Sequence, residues 1–384
     1  MGEVMQVKRL GKENYDEIVA LMNAVFSRRN GREMDFEREL PKMCVRDEEH
    51  MRKHFGIFDG GRLVACLGVY PLETVVNGEK LLFSTTGNVV THWDYEGKGY
   101  MEQLLRRAMQ ELEDIRADAS RLGGLRSRYN RFGFEACGQR YGFHFTAKNR
   151  ERKFLNFRND IVFTRIEQSD AAALQFAADV YNANEIAVTR TAETAYPTMT
   201  AWQKIPYLAT RDNRPVGYVC ANEAGTDVAE IFAVDTPTFT DVVCAWQKRV
   251  GDDVYFYLQP HQADKVRIFS AACEASHISS PSHFYIRNWE KVVGAFLRLK
   301  STYCSLPKGE KVIEIQGYGR ICIFVNDTAV GCEKTEKTPD LILDRLTATR
   351  YIFGLYSPVY TGETDAWACA VFPLPLSWNG QDRV

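Results

Sequence analysis

The sequence predicts a mixed α/β chain of two or three domains, and three observations lead there. Its 384 residues exceed what one hydrophobic core of ~100 to 150 residues usually organises. Hydrophobic residues make up 45% and charged residues 26%, the balance of a globular chain with ample core material. Helical and extended apolar periodicities alternate along the chain, and one strand runs through a glycine-bearing loop directly into a helix.

Ile18, Leu21, Met22, Val25 and Phe26 fall at helical spacing and predict an amphipathic helix over 14–29. Residues 54–58 and 62–70 read as strands reversing at Asp59-Gly60-Gly61, and Asn77-Gly78 turns the chain into a longer extended run over 81–92. A helix over 100–117 places Met101, Leu104, Leu105, Ala108, Met109 and Leu112 on one face. Shorter strands are predicted at 122–126, 133–137 and 141–146, and the basic stretch from Lys148 to Lys153 reads as a boundary.

A second unit combines a helix over 171–182 with strands at 205–210, 216–222, 228–234 and 254–258, and has no glycine-rich strand-to-helix loop. A third opens on a helix over 289–303, continues with strands at 311–315 and 320–325, and is expected to include a helix near 339–347. The tail is unusual for a terminus. Val371-Phe372-Pro373-Leu374-Pro375-Leu376-Ser377-Trp378 is apolar and proline-stiffened where most chain ends are polar and frayed. Such a tail should be docked.

Net charge of −2 argues against nucleic acid as a partner. The first residues, Met1 to Gln6, show no apolar core behind a basic patch, and no stretch approaches the roughly 18 apolar residues of a membrane span. A cytoplasmic protein with no membrane partner is the expectation. Ten cysteines lie scattered without a C-x-x-C pair, so reduced structural thiols are expected rather than a disulfide framework or zinc knuckle. His50 and His54 are spaced i, i+4, but Met51 holds the place of a metalloprotease glutamate, and no metal is assigned.

Chemistry concentrates in two blocks. In the first, Val89-Val90-Thr91-His92-Trp93-Asp94-Tyr95-Glu96-Gly97-Lys98-Gly99-Tyr100, a strand passes through two glycines into a helix. Unpaired N–H groups at a helix start, glycines that let backbone approach a ligand, and the helix dipole together suit a pyrophosphate. This is neither a Walker A loop nor a Rossmann fingerprint. In the second, Leu122-Gly123-Gly124-Leu125-Arg126-Ser127-Arg128-Tyr129-Asn130-Arg131-Phe132-Gly133-Phe134, arginines surround a Tyr-x-Arg-Phe-Gly sequence.

Together these blocks resemble the GNAT superfamily of N-acetyltransferases over about residues 1–147, with Asp94 standing where that family usually begins its loop with Arg or Gln. Over the whole chain the layout resembles the enhanced-intracellular-survival (Eis) acetyltransferases. The fold the resemblance implies is an α/β chain of tandem GNAT-like acyltransferase domains followed by an α+β domain. It comprises a GNAT acetyltransferase domain (1–150), a second GNAT-like domain lacking the pyrophosphate loop (151–282), and a sterol-carrier-protein-like domain (283–384) whose C-terminal tail reaches the active site.

The resemblance also implies acetyl-CoA as co-substrate, held by Val89, Val90, Thr91, Tyr95, Gly97, Lys98, Gly99, Tyr100 and Gly124. It implies Tyr129 as general acid, the α-carboxylate of Val384 as base, and a homo-oligomer, a hexamer in that family. The acceptor it implies is an amine on a polyamine-like small molecule such as an aminoglycoside. Phe26, Glu33, Asp35 and Phe36 are the candidate substrate contacts. These roles are chemically coherent: a free α-carboxylate can attract an ammonium and take its proton, and a phenol keeps a proton to give to a departing thiolate. A protein lysine or N-terminus as acceptor, or a non-catalytic protein that binds CoA or an apolar ligand, are the alternatives.

Overall fold

The computed structural model describes residues 6–357, 359, 362 and 364–384. Its largest described sheet runs Lys8–Arg9, His54–Asp59, Arg62–Val76, Glu79–Thr91, Ala119–Leu122, Ser282–Ile286, Glu135–Cys137, and Ile186–Val188 joins the far end of Arg62–Val76. Neighbours are antiparallel except Glu79–Thr91 against Ala119–Leu122, which the Tyr100–Asp114 helix connects in parallel. That helix buries Leu104, Leu105, Ala108 and Leu112 against Phe55, Ile57, Val64 and Leu67. A second cluster packs Ile18, Leu21 and Met22 of the Tyr15–Asn30 helix against Leu63, Cys66, Tyr70 and Val90. Covered by both clusters, the central strand reads as a nearly unbroken apolar run, as a doubly buried strand must.

The second unit has a four-stranded sheet, Val228–Ala233, Arg214–Ala221, Ile205–Arg211 and Val162–Arg165, and a three-stranded one, Val254–Leu258, Arg140–Phe145 and Ala275–Ser279. A single bridge, Asp227 to Tyr255, links them. The chain exchanges strands between units. Arg140–Phe145 leaves the first sheet to pair in the second, and Ser282–Ile286 returns to sit between Ala119–Leu122 and Glu135–Cys137. Periodicity identified the first as a strand, but not the sheet it would join, and gave no strand at 282–286.

In the third unit the Trp289–Tyr303 helix packs Val292, Val293, Phe296 and Leu299 against Ile313, Ile315, Ile321 and Ile323 of a four-stranded sheet. Two local expectations are corrected here and in the first unit. The helix near 339–347 is a strand, Leu341–Leu343, on Ile315's strand, followed by a helix that starts at Arg345. Asp344 sets that start by accepting the Leu346 and Thr347 amides at 2.9 and 3.0 Å. The strand expected at 122–126 ends at Leu122, since Gly123 and Gly124 break it and Arg126–Tyr129 is a helical turn. The boundary stretch Lys148 to Lys153 lies in a short helix, Ala147–Lys153. Met1 to Met5 lie outside the described residues.

The tail is docked. Phe372, Leu374, Leu376 and Trp378 are buried in the third unit's core, and Trp378 stacks on Phe83 of the first sheet at 4.9 Å. Beyond them polar anchors take over. Gln381 donates through Nε2 to the carbonyls of Met199 and Ala201 at 3.2 and 2.8 Å, and the Lys42 ammonium donates to the Gln381 carbonyl. Asp382 accepts from the Tyr181 hydroxyl at 2.5 Å and from Arg190 at 2.8 Å, and Arg190 also meets Glu230 at 2.6 Å. All three charged side chains are buried. Burial works against the Arg190 charge, yet Asp382 and Glu230 hold its pKa well above the usual value.

Arg190→Met would leave two buried carboxylates without a counter-charge. It should lower the unfolding free energy by about 3–5 kcal/mol, read from urea titration at neutral pH. A change within the ~0.5 kcal/mol of an ordinary surface substitution would show that this triad does not hold the tail.

Candidate active site

A bulge in the first sheet makes the site. Cys66 pairs with Val90 and Gly68 with Gly87, so Asn88 and Val89 on one strand face the single Leu67 on the other. Asn88 takes a left-handed φ of 54°, which asparagine tolerates better than most residues. Its amide donates to the Tyr70 hydroxyl at 2.8 Å, and that hydroxyl lies 2.9 Å from Nε2 of His54. Burial pushes the His54 pKa down to about 4, so the ring is neutral and accepts the Tyr70 proton. The last parallel pair is Thr86 with Leu122. Past it the two strands part.

On one side of the wedge the strand continues through Val89, Val90 and Thr91 into the glycine loop. Gly97 and Gly99 have φ of 78° and 80°, the left-handed region glycine supplies without steric cost. Gly99 caps the Tyr100–Asp114 helix, and no side chain accepts from its first amides. A cleft of about 720 Å³ opens there, lined by Val89, Val90, Thr91, Tyr95, Gly97, Gly99 and Tyr100 together with Arg28, Arg29, Arg128 and Arg131. Arg28 lies over the Trp93 ring at 4.7 Å. Lys98 lies over Tyr95 at 4.4 Å and is not part of the wall. The departing residue, Asp94, points outward with its side chain 67% exposed, leaving the helix start to the backbone.

On the other side lies a cavity of about 370 Å³ whose wall includes Phe26, Phe36, Val89, Gly124, Tyr129 and Val384. Two glycines make room for the two groups of interest. A Cβ on Gly87 would meet Cγ2 of Val384 at 2.5 Å, and one on Gly124, whose φ is 116°, would meet Cε2 of Tyr129 at 3.0 Å. Tyr129 is buried, and its hydroxyl has no hydrogen-bond partner among the described residues. Val89 lines both the cleft and the cavity. An extended molecule passing the bulge therefore reaches from the arginines to Tyr129 and the chain terminus.

Residues 6–137 match the acetyltransferase (GNAT) domain family. This segment is therefore a GNAT-type acetyltransferase domain. In fold it is similar over nearly its whole length to a GCN5-related N-acetyltransferase from Kribbella flavida, at 17% identity, covering 99% of this chain and 98% of that one with a TM-score of 0.67. A probable N-acyltransferase from Enterococcus faecalis gives 16% identity, 97% and 98% coverage and a TM-score of 0.71. Eis1 from Mycobacterium abscessus gives 14% identity, 97% and 98% coverage and a TM-score of 0.66. No curated protein has a matching sequence. The architecture of the chain is thus that of the Eis type, two GNAT-like units and a third α+β unit.

Not every expected residue joins the site. Glu33 is exposed, and Asp35 caps a short helix by accepting the Arg38 amide at 3.3 Å; neither lines the cavity. Arg126 pairs with Glu135 at 2.6 Å, away from the cleft. His92 is buried against Trp93 at 3.9 Å. His50 bonds Asp47, and among the described residues no group of three His, Cys, Asp or Glu side chains could hold a metal ion. No disulfide joins any of the ten cysteines, all of which lie among the described residues. Met34 and Trp202 join the cavity, and Arg28 and Arg29 the cleft, without having been singled out. Trp202 comes from the second unit, so no local motif could have placed it.

Two outcomes follow from this geometry. The His54 pKa lies below its unfolded value, so between pH 6.5 and 4 the unfolded chain takes up the proton first and stability falls with acidity, by about 3 kcal/mol from this group. His54→Gln should flatten that part of the pH profile of unfolding free energy; an unaltered slope would refute the assignment. Gly87→Ala should displace the C-terminus and reduce acetyl transfer at least ~10-fold, whereas adding Val384→Ala, which removes the clashing methyl, should restore most of the rate.

Proposed function

We propose that this acetyltransferase moves the acetyl group of acetyl-CoA to a primary amine of a small molecule. Tyr129 is the general acid and the Val384 α-carboxylate the base. The observation that carries this reading is the meeting of Tyr129 and the chain terminus in one cavity, across Val89 from an arginine-lined cleft. The residues present fit CoA: an uncapped helix N-terminus and glycine loop for the pyrophosphate, and Arg28, Arg29, Arg128 and Arg131 for its phosphates. CoA supplies the activated thioester.

The chain's own groups do the rest. The Val384 carboxylate draws the ammonium to the bulge and takes its proton, which frees the nitrogen lone pair. Backbone amides near Val89 to Thr91 polarise the thioester carbonyl. The Tyr129 hydroxyl, with no competing partner, holds a proton for the departing sulfur.

Resemblance to the Eis acetyltransferases favours polyamine-like acceptors such as aminoglycosides. A second reading is favoured by the wall itself. Phe26 and Phe36, 4.9 Å apart between ring centres, stand with Met34 and Trp202, and Arg29 is the charged side chain among them. Such a wall suits one ammonium on an apolar or aromatic body better than a polycation. The third unit is read as sterol-carrier-like, the protein as cytoplasmic, and the assembly as a homo-oligomer, a hexamer by the same resemblance.

Thiol release from acetyl-CoA should be measured with an aminoglycoside, spermidine, phenethylamine and a lysine peptide. At least one small amine should turn over, and Tyr129→Phe should lower kcat about 100-fold or more. Silence on every amine would sink the proposal and favour a non-catalytic CoA-binding protein. Extending the chain beyond Val384 should abolish turnover, and an unchanged rate would eliminate the terminus as base.

A further inference from the structure

A second cavity, of about 300 Å³, lies behind the C-terminal tail. One wall comes from the second unit, with Arg140, Tyr257, Gln259 and His261; the other is the tail itself from Ser377 to Arg383. Its charges do not balance. Lys204 is paired with Asp227 at 2.5 Å, and Glu230 belongs to Arg190. Arg140 and Arg383 lie over the rings of Tyr257 and Trp202, at 4.0 and 5.5 Å, without a carboxylate partner among the described residues.

The unpartnered polar atoms are mostly donors, with Oε1 of Gln259 the one among those of the wall that can only accept. Nε of Arg140, Nε1 of Trp202 and Nε1 of Trp378 have no hydrogen-bond partner among the described residues, nor does the Ser377 hydroxyl. The first three can only donate and the hydroxyl also can. Ser377, Trp378 and His261 are 0%, 2% and 8% exposed, and Nδ1 of His261 is also unpartnered. Buried donors are rarely left this way. Behind Trp378, the buried Arg121 guanidinium lies 5.4 Å from the indole ring, and burial together with Arg383 pushes its pKa down to about 9. Three arginines, Arg121, Arg140 and Arg383, thus crowd the site, and the surplus carboxylate of the Asp382–Arg190–Glu230 triad offsets them only in part.

We infer that this cavity binds a small oxyanion, a compact carboxylate or phosphate rich in acceptor atoms, and that the bound anion locks the C-terminal tail against the second unit. Its volume suits a small ligand. Arginines stacked on aromatic rings present a pre-oriented fork to an oxyanion, and the indole N–H groups add donors that water would satisfy without neutralising the charge. Arg383 immediately precedes Val384, so occupancy bears on the position of the terminus. Its effect on catalysis rests on the reading of Val384 as the base, whereas binding does not.

Thermal unfolding and tryptophan emission should be followed while sodium phosphate or sodium citrate is titrated against sodium chloride of equal ionic strength. Wild type, Arg140→Gln and Arg128→Gln are compared, the last reporting on anions in the CoA cleft. At least one oxyanion should raise Tm and shift the emission in wild type and Arg128→Gln, and Arg140→Gln should respond to neither. In chloride, Arg140→Gln should unfold at or above the wild-type Tm, since it removes an unpaired cation. Trp202→Phe, which deletes one donor and leaves an aromatic ring in its place, serves if that variant fails to fold, and should weaken the response several-fold. Removal of Val384 by carboxypeptidase should slow with the effective anion. A wild-type Tm that moves no more than in chloride, or a full response from Arg140→Gln, overturns the site, and binding without slower carboxypeptidase release overturns the locking. None of these readouts needs acetyl transfer, so a failed catalytic reading would not be mistaken for a failed anion site.

Discussion

Two residues facing one across a pair of strands govern this structure. Because Asn88 and Val89 oppose Leu67 alone, the sheet cannot continue in register, and the strands part after Thr86 and Leu122. The extra residue is held by a buried chain of hydrogen bonds from Asn88 through Tyr70 to a neutral His54. Such a chain replaces the ladder bonds lost at the bulge and gives it one conformation. The same discontinuity opens the arginine-lined cleft on one side and the Tyr129 cavity on the other, with Val89 common to both. A regular sheet here would have closed both.

The terminus is held by effects that act at different points along the tail. Burial of Phe372, Leu374, Leu376 and Trp378 provides most of the attraction, but apolar contact is non-directional and fixes position poorly. Direction comes from Gln381, aimed at successive carbonyls, and from Asp382 in its triad with Arg190 and Glu230. Asp382's partners in the triad belong to the second unit, and most of the cavity wall belongs to the first. Strand exchange through Arg140–Phe145 and Ser282–Ile286 therefore matters, because it ties the two units into one frame. Without that frame, an anchor on one unit would not determine where Val384 meets Gly87 on the other.

What the sequence revealed depended on how local the information was. The helices at 15–30, 100–114, 171–182 and 289–303 were legible because their apolar spacing is written within each segment. The helix near 339–347 was misplaced because Pro339 and Asp344 both suggest a start, and only the parallel pairing of Leu341–Leu343 decides between them. Among the residues that line the candidate site, Tyr129, Gly124 and the glycine loop were singled out through the motif blocks, and Val384 through the family resemblance together with a tail too apolar to be free. Trp202, Arg28 and Arg29 escaped because they reach the site from other elements, and no spacing links them to the loop. Glu33 and Asp35 were chosen for charge alone, and one is solvated while the other is used by its own helix.

The second unit shows how small a difference separates a ligand seat from a structural turn. It repeats the arrangement of a strand, Val228–Ala233, a helix, Thr236–Val250, and a following parallel strand joined by one bridge. There the helix begins at Asp235, whose carboxylate accepts the Thr238 amide at 2.7 Å. An anion approaching that end would meet a fixed negative charge and an amide already satisfied. In the first unit Gly99 occupies the same place, offers no side chain, and leaves the helix dipole facing an arginine-lined cleft. Aspartate stabilises a helix start and closes it to phosphate, whereas glycine forgoes the cap and leaves it open. The two units can therefore share a fold while, of these two helix starts, the first alone is left open to an anion.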